Sequence, residues 1–216
     1  IRWQSGDTVI TMAFDRMGRR VEMRTQSADS DLLQRFVYDS YLCIQQLRGA
    51  DNALFQSYVW DPTEPIATRP LVLRDISNSL FYYFHDANKN VVNLADSTKF
   101  HVCHYIYSPY GAQTLLPTST LLLDNPLLFS SEFYNDVLDL VYYNYRHYSI
   151  WGGRWIGRDP LEEIYANLYD FIGNAPLSKT DFLGLVRCCG DTPYNPSKEC
   201  CVNNREILKK VALLQF

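Results

Sequence analysis

Two aspartates in the C-terminal part of the chain, Asp159 and Asp181, have a side chain that can take part in peptide hydrolysis. Two carboxyl groups held close together do not both ionise readily, so one keeps a proton while the other accepts a proton from water. The two lie 22 positions apart, so only folding could bring them together. Aspartates beside Pro160 and near Gly184 are also common turn formers, and a purely structural role is the alternative.

Other reactive side chains give weaker signals. His101 and His104 are three positions apart in a strand-like run, which predicts opposite faces of the strand and therefore no shared metal ion. His147 is interpreted as a strand residue with one hydrogen-bonded ring nitrogen rather than as a base. The sequence has no Gly-rich phosphate loop, no Ser-His-Asp order and no zinc signature, so we predict neither a metal nor another cofactor.

Six cysteines fall into two groups. Cys43 and Cys103 lie in strand-like runs and are predicted to be buried thiols. The others form two adjacent pairs on either side of a segment rich in Gly, Pro and Asn, namely Cys188-Cys189 and Cys200-Cys201. We interpret these pairs as disulfides formed in an oxidising compartment. Thiols and a metal site are the alternatives, although this spacing is not an ordinary one for zinc.

Composition favours a β-rich protein without a nucleic-acid partner. Aromatic residues make up 14% of the chain, with 16 Tyr alone, and they suit half-buried strands. The net charge of −4 provides no basic field for nucleic acid or anionic lipid. No apolar run is long enough to predict a membrane span. The chain starts at Ile1 without a signal-peptide pattern, so we expect a piece of a longer protein whose export signal lies elsewhere.

An aromatic residue followed by Asp recurs at nearly constant spacing. The intervals are 24, 22, 25 and 22 residues, which is enough for two strands and two turns per unit. The dipeptides are Phe14-Asp15, Tyr38-Asp39, Trp60-Asp61, His85-Asp86 and, in degenerate form, Tyr107-Ser108. Within a unit, apolar alternation predicts a strand, Asp opens a turn, and a glycine such as Gly18 supplies positive φ. The pattern predicts antiparallel hairpin repeats, and a plain meander without repeat ancestry is the alternative.

Changes of character near residues 114 and 185 divide the chain into three parts. We predict hairpins over 1–114, a compact segment over 115–185 and a Cys-rich tail over 186–216. Further hairpin arms are predicted at 55–60, 80–85, 91–94 and 100–107. Short helical turns are expected at 135–140 and 160–165, and residues 205–214 have the pattern of a short amphipathic helix.

A set of ordered motifs resembles the YD-repeat and Rhs-associated core family. The repeat-like segments are 14–21 (FDRMGRRV), 58–62 (YVWDP) and 83–91 (YFHDANKNV). The core-like segments are 105–111 (YIYSPYG), 140–148 (LVYYNYRHY), 153–160 (GRWIGRDP), 167–169 (NLY), 174–176 (NAP) and 181–185 (DFLGL). The resemblance covers residues 10–185, and its C-terminal third is the most specific part.

The resemblance implies an all-β fold in which antiparallel hairpins wind into a spiral sheet. Here that would be a partial YD-repeat shell with a compact C-terminal core segment and a short tail. Such shells enclose a variable C-terminal segment, often a toxin. In bacterial toxin-complex C components and secreted Rhs effectors, the core cuts its own chain after the leucine of its Asp-Pro-x-Gly-Leu motif. In this chain that bond joins Leu185 to Val186.

The same resemblance assigns roles around that bond. Asp159 and Asp181 occupy the motif aspartates, so they are the candidate catalytic pair of a single-turnover aspartic autoprotease. Arg146 and Arg158 would bias carboxylate ionisation or polarise the scissile carbonyl. Gly184 would let the backbone adopt a conformation that other residues resist.

This chain departs from the family at two positions. Toxin-complex members carry Arg-Asp-Tyr where this chain has Arg146-His147-Tyr148, so their first acid is absent here. The proline that usually follows the second aspartate is replaced by Phe182. Self-cleavage is therefore a hypothesis and not a necessary consequence of the resemblance.

We therefore expect a C-terminal shell fragment of a bacterial Rhs-type polymorphic toxin, secreted or at the cell surface, that encloses a C-terminal segment and cuts itself. The expected partners are upstream YD repeats of the same longer protein, a secretion-system component or an immunity protein. The alternative is a non-catalytic structural or adhesion module whose aromatic strand faces bind carbohydrate or a partner protein. The 31-residue tail is short for an enzymatic toxin. Three interpretations of it remain as alternatives: a Cys-rich peptide cargo, a vestige left after loss of a toxin, and the end of a truncated gene.

Overall fold

The computed structural model describes residues 1–63, 69–114, 123–159, 167–177, 179, 181 and 183–184, and the backbone of four short strands beyond residue 186. Ten strands form one antiparallel sheet in sequence order, so that each strand pairs with its neighbours in the chain. They are β1 (Arg2–Ser5), β2 (Thr8–Phe14), β3 (Arg20–Gln26), β4 (Asp31–Asp39), β5 (Leu42–Arg48), β6 (Leu54–Trp60), β7 (Pro70–Arg74), β8 (Leu80–His85), β9 (Val91–Asp96) and β10 (His101–His104). The predicted all-β hairpin fold is confirmed.

A smaller antiparallel sheet and two separate hairpins complete the described strands. The smaller sheet contains β11 (Phe133–Asn135), β12 (Leu140–Tyr143), β13 (Arg146–Ser149) and β14 (Arg154–Trp155). The hairpins are β15 (Arg187–Cys189) with β16 (Thr192–Tyr194), and β17 (Glu199–Val202) with β18 (Glu206–Lys209). Phe129–Ser131 and Ile172–Asn174 form short helical turns. In the part of the chain described, no helix has the length and apolar character needed to cross a bilayer.

One turn built on aspartate closes hairpins at both ends of the large sheet. In each case the Asp Oδ1 accepts hydrogen bonds of 2.8–3.0 Å from the backbone N–H groups two and four residues later. The turns begin at Asp15, Asp75, Asp86 and Asp96, and their fourth residues, with positive φ, are Gly18, Asn78, Lys89 and Lys99. The repeat spacing predicts the turns at Asp15 and Asp86, and the structure adds the same turn at the opposite end of the sheet.

The aromatic residue of the repeat dipeptide joins neighbouring hairpin units. In three units its side chain donates a hydrogen bond to a backbone carbonyl of the preceding unit. That carbonyl lies near the start of the strand that follows the preceding unit's own aromatic-Asp dipeptide and turn. The pairs are Tyr38 Oη to Arg20 O at 2.9 Å, Trp60 Nε1 to Cys43 O at 2.9 Å, and Tyr107 Oη to Val91 O at 2.8 Å. These bonds explain why rings with a polar donor occupy these positions, since a buried carbonyl without a partner would be destabilising.

The smaller sheet packs against the early hairpins of the large sheet. The ring of Phe133 meets the ring of Phe36 edge-on, with centroids 5.7 Å apart. The fully buried guanidinium of Arg20 lies over these two rings and over Tyr142, with its Cζ 4.1–4.6 Å from the three centroids. The backbone N–H of Arg20 also donates to Tyr142 Oη at 2.9 Å. Stacking on several aromatic faces compensates in part for removing the charge from water.

Aromatic packing dominates the core of the smaller sheet. Its buried cluster consists of Phe129, Val141, Tyr143, Tyr148, Ile150, Trp155, Phe171 and Ile172. A second cluster, on the large sheet, includes Leu127 and Leu128, which come from the segment after the ten strands. The chain after the hairpins therefore covers one face of the large sheet and contributes to both cores.

Two local predictions of helix are wrong. Residues 206–209 of the predicted 205–214 helix form strand β18, which pairs with β17. Strand pairing satisfies their backbone groups, whereas a helix of this length is marginally stable alone. The 135–140 stretch is a turn between β11 and β12, in which Asn135 Oδ1 accepts from the N–H of Leu138 at 2.9 Å and Asp139 has positive φ.

Several other predictions fall on residues that are not described. The expected turn at 160–165 lies outside the described residues. The division into 1–114, 115–185 and 186–216 stays a prediction, because 115–122 and 185–186 also lie outside them.

The expectation that His101 and His104 lie on opposite faces of their strand is also wrong. His101 pairs with Ala95 and His104 pairs with Asn93, two residues apart on β9 and so on one face of it. A β-bulge at Val102 inserts one extra residue between the histidines, which restores them to the same face. Val102 itself is fully buried, so the bulge lets an additional apolar side chain enter the core.

Candidate functional site

One buried arginine contacts both predicted catalytic aspartates. Arg146 Nη1 lies 2.9 Å from Asp159 Oδ2, and its Nη2 lies 3.5 Å from Asp181 Oδ2. The side chain of Arg146 is 4% exposed, that of Asp181 1% and that of Asp159 20%. Folding therefore brings two carboxyl groups that are 22 positions apart in sequence to one guanidinium.

The smaller sheet holds this arginine in place. Arg146 is the first residue of β13 and pairs with Tyr143 of β12 across a tight turn. The ring of Trp155, from β14, lies under the guanidinium with its centroid 4.1 Å from Cζ. The backbone N–H of Asp159 donates to Leu168 O at 3.1 Å, which fixes the residue after β14 has ended. The guanidinium is therefore oriented by packing before it meets either carboxylate.

The chain just before the predicted cleavage point passes directly over this site. Arg146 Nε donates a hydrogen bond to Gly184 O at 2.5 Å, and the N–H of Tyr145 donates to Leu183 O at 3.2 Å. Leu183 and Gly184 both have positive φ, at 62° and 72°. A Cβ on Gly184 would lie only 3.2–3.3 Å from Tyr143 Cβ, Tyr143 O and Arg146 Cβ. The glycine is needed here both for its backbone conformation and for the close approach of β12 and β13.

Charge in this site is only partly balanced. Burial lowers the pKa of Arg146, while the charges of Asp181 and Asp159 act in the opposite direction. Glu132 is a third carboxyl group nearby, and burial together with the negative charge of Asp181 raises its pKa to about 8. At neutral pH, Glu132 therefore keeps a proton and is a neutral carboxylic acid on which the charge of Asp181 acts.

Sequence reasoning missed Glu132. Residues 127–134 read LLFSSEFY, and Glu132 is the single charged residue in this mostly apolar stretch. An isolated acid among apolar residues is a sign that burial will perturb its ionisation. That sign does not reveal its neighbours, which come from other parts of the chain.

The other supporting residues lie elsewhere. His147 faces away from Arg146, against the rings of Trp3 and Tyr142, with centroids 5.6 and 5.3 Å away. Burial, with a further contribution from the charge of Arg20, lowers the pKa of His147 to about 4, so it is neutral at pH 7. The side chain of Arg158 is exposed.

The cleavage residues and cysteines are described only in part. Leu185 and Val186 lie outside the described residues, as do the side chains of Cys188, Cys189, Cys200 and Cys201, so the proposed cut and disulfides stay predictions. Cys43 and Cys103 carry thiols and are half-buried and buried respectively. Burial raises the pKa of the Cys43 thiol to about 12, which keeps it protonated and unreactive.

Metal binding by three or more ligands finds no support in the part of the chain described. Over those residues, no group of three or more His, Cys, Asp or Glu side chains is arranged to hold a metal ion. The arrangement around Arg146 is a cluster of ionisable side chains and a backbone carbonyl. The guanidinium of Arg146 contacts the carboxyl groups of Asp159 and Asp181 and the backbone carbonyl of Gly184, and the charge of Asp181 also acts on the buried Glu132.

Comparison with solved structures identifies the architecture. The chain superposes on a crystal structure of TcdB2-TccC3 with a TM-score of 0.65 and 23% identity, over 86% of this chain and 10% of that one. It superposes on the Tc holotoxin pore of Photorhabdus luminescens with a TM-score of 0.64 and 22% identity, over 86% of this chain and 9% of that one. The likeness shows the fold. It is the fold of one part of these toxin-complex chains.

Two sequence relatives match parts of the chain. A 52-residue stretch, 24% of this chain and 5% of the relative, is 43% identical to toxin subunit YenC2 of Yersinia entomophaga. Over 176 residues, 79% of this chain and 7% of the relative, it is 23% identical to the tRNA nuclease WapA of Bacillus subtilis. No family model matches the chain. The chain thus spans less than a tenth of the length of these relatives.

Proposed function

We propose that this chain is the C-terminal part of a toxin-associated YD-repeat shell, and that it cuts its own backbone between Leu185 and Val186. The observation that carries the proposal is the contact of one buried guanidinium, that of Arg146, with Asp159, Asp181 and the carbonyl of Gly184. That carbonyl lies one residue before the bond to be cut. The likeness in fold to the TcdB2-TccC3 structure and the partial identity to YenC2 support the shell role.

The cleavage step is a hydrolysis by one water molecule. One carboxylate of the Asp159/Asp181 pair takes a proton from the water as its oxygen bonds to the carbonyl carbon of Leu185. The other carboxyl group of the pair starts in its protonated form. It gives its proton to the nitrogen of Val186 as the C–N bond breaks. Leu185 is left with a carboxylic acid, whose proton passes to the new amine, so the products are a Leu185 carboxylate and a Val186 ammonium group. The two aspartates have then exchanged their protonation states, and both hydrogens of the water are accounted for.

A buried, tethered site of this kind needs little catalytic power. The scissile bond lies one residue after Gly184, and Arg146 fixes the Gly184 carbonyl, so no substrate has to be captured from solution. Holding the reacting groups together can supply effective concentrations of about 10⁵ M or more. Glu132, whose pKa is raised by burial and by the charge of Asp181, also keeps a proton at neutral pH.

We further propose that upstream repeats of a longer chain continue the large sheet. Among the described strands, β1 pairs only with β2, so its outer edge offers backbone N–H and C=O groups to another strand. The relatives are ten or more times longer than the matched part, which fits a shell that starts upstream. The relative YenC2 is named a toxin subunit. If this chain is also part of a toxin, we expect it to be secreted or located at the cell surface.

Intact-mass spectrometry of the purified protein tests the cleavage. We expect two species that meet at the Leu185/Val186 bond. Asp159→Asn and Asp181→Asn should each leave one intact chain of 25.1 kDa. Asp170→Asn is the matched control, because Asp170 is partly buried and its carboxyl has no contact with Arg146 among the ion pairs described.

The outcomes separate the two functional hypotheses. Cleavage in the wild type and the Asp170→Asn control, but in neither Asp159→Asn nor Asp181→Asn, supports the aspartic mechanism. A single intact species in all four proteins would exclude self-cleavage and leave a non-catalytic shell or adhesion module. Cleavage that persists in both active-site variants would assign the chemistry to other residues.

A further inference from the structure

Two exposed histidines lie side by side on the outer face of the large sheet, far in sequence from the Arg146 site. Of the four histidines in the chain, His101 and His104 are the exposed ones. The bulge at Val102 brings them to the same face, where both contact one asparagine of the neighbouring strand. His101 Nδ1 lies 2.8 Å from Asn93 Oδ1, and His104 Nδ1 lies 3.4 Å from Asn93 Nδ2.

The bond to Asn93 prepares His101 as a metal ligand. An amide oxygen only accepts hydrogen bonds, so Nδ1 of His101 must carry the proton and Nε2 must carry the lone pair. Histidine ligands in metal sites commonly donate their other ring nitrogen in this way, which fixes the tautomer and the ring orientation. The contact of His104 with Asn93 is at the limit of hydrogen-bond length. Rotation of the His104 ring toward a metal ion would therefore cost little hydrogen-bond energy.

We propose that His101 and His104 together bind one divalent transition-metal ion of the Ni²⁺, Cu²⁺ or Zn²⁺ class. Their strand partners, Asn93 and Ala95, are two residues apart, which places the histidine backbones roughly 7 Å apart on one face. Imidazole nitrogens bind such ions at about 2.0–2.1 Å, so two rings at this separation can converge on one ion. The side-chain amide of Asn93 contacts both rings, with Oδ1 toward His101 and Nδ2 toward His104.

The residue types decide which ions fit. Imidazole suits Zn²⁺, Cu²⁺ and Ni²⁺, whereas Ca²⁺ and Mg²⁺ require several oxygen ligands. Two protein ligands leave coordination positions for water, so the affinity should be lower than in a site with three or four ligands. The proposal rests on the bulge and on the hydrogen bonds to Asn93, and it is independent of the proposed self-cleavage.

Isothermal titration of the untagged protein with Ni²⁺ or Zn²⁺ tests the site. We expect one ion per chain. His101→Ala and His104→Ala should each weaken binding by at least about tenfold, since even the loss of a group that only orients a ligand costs 10–100-fold. His85→Gln, at a partly buried histidine on β8, is the matched control and should bind as the wild type does.

A second variant distinguishes a shared site from two separate histidines. Asn93→Asp places a carboxylate between the two rings and should tighten binding, whereas a carboxylate beside two independent rings would not act on both. The proposal is overturned if the two alanine variants bind like the wild type. It is equally overturned if two ions bind with equal affinity, or if Asn93→Asp leaves the affinity unchanged.

Discussion

Replacing Glu132 by glutamine should stabilise the protein at alkaline pH and change little at acidic pH. Burial and the charge of Asp181 raise the pKa of Glu132 from 4.5 to about 8. The folded state therefore keeps the proton while the unfolded chain releases it. The stability that this group contributes is fully present below pH 4.5 and is lost as the pH rises toward 8. Glutamine is neutral at every pH, so it removes this loss.

The size of the effect follows from the shift in pKa. Each unit corresponds to about 1.4 kcal/mol, so a rise from 4.5 to about 8 amounts to about 5 kcal/mol above pH 8 and about 3 kcal/mol at pH 7. This is a large part of the 5–15 kcal/mol that typically separates a folded domain from its unfolded state. Below pH 4.5 the wild type and Glu132→Gln should differ only by the small change in hydrogen bonding.

Urea unfolding of both proteins from pH 4.5 to pH 9 measures this difference. The free energy of unfolding of Glu132→Gln minus that of the wild type should rise steadily with pH and level off above pH 8. Glu22→Gln is the matched control, because Glu22 forms only a partly exposed ion pair with Arg35. A difference that stays constant within about 1 kcal/mol across the range would refute the reasoning, since it would mean that Glu132 ionises normally in the folded protein.

Three further variants test the site and its surroundings by chemical denaturation. Arg146→Met should destabilise the fold by about 3–5 kcal/mol and stop cleavage, because it leaves two carboxylates without their buried partner; unchanged stability would contradict the contacts described. The wild type should lose about 3 kcal/mol of unfolding free energy between pH 6.5 and pH 4, because burial lowers the pKa of His147 to about 4, and His147→Phe should remove this loss. Identical dependence of unfolding free energy on acid pH in the two proteins would argue against it. Gly111→Ala should cost about 2–4 kcal/mol, because the φ of Gly111 is +92° and its new Cβ would lie 2.7–2.9 Å from the Phe129 ring; a stable variant would show that the ring moves easily.

The hairpin array could be predicted because its signals are local. Strand alternation, the aspartate that opens a turn and the residue with positive φ all lie within a few positions, as at Asp15 and Gly18. The helix that the 205–214 pattern predicts is wrong for the opposite reason. Its structure depends on pairing with β17, which no pattern within the segment encodes.

Only those residues of the candidate site that lie within the family motifs could be predicted from the sequence. The family resemblance selects Asp159 and Asp181, but spacing alone does not say which arginine meets them. Arg146 does so because β13 aims it inward beside Trp155, whereas Arg158 is exposed. The role of Glu132 depends on packing between distant segments, and so does the bulge that brings two histidines together. Such features arise from tertiary structure and leave little trace in the local sequence.

The hydrogen bonds from the repeat aromatic residues also determine how a protein of this kind can lengthen. Three of the five rings, those of Tyr38, Trp60 and Tyr107, bind a carbonyl of the unit before them, so those earlier units supply an acceptor for the next unit. A gene duplication that inserts one whole unit of two strands preserves every such bond. Insertion of a single strand would move the next ring to the opposite end of the sheet and break the series. Evolution of the chain in steps of 22–25 residues is therefore a consequence of side-chain chemistry as well as of strand pairing.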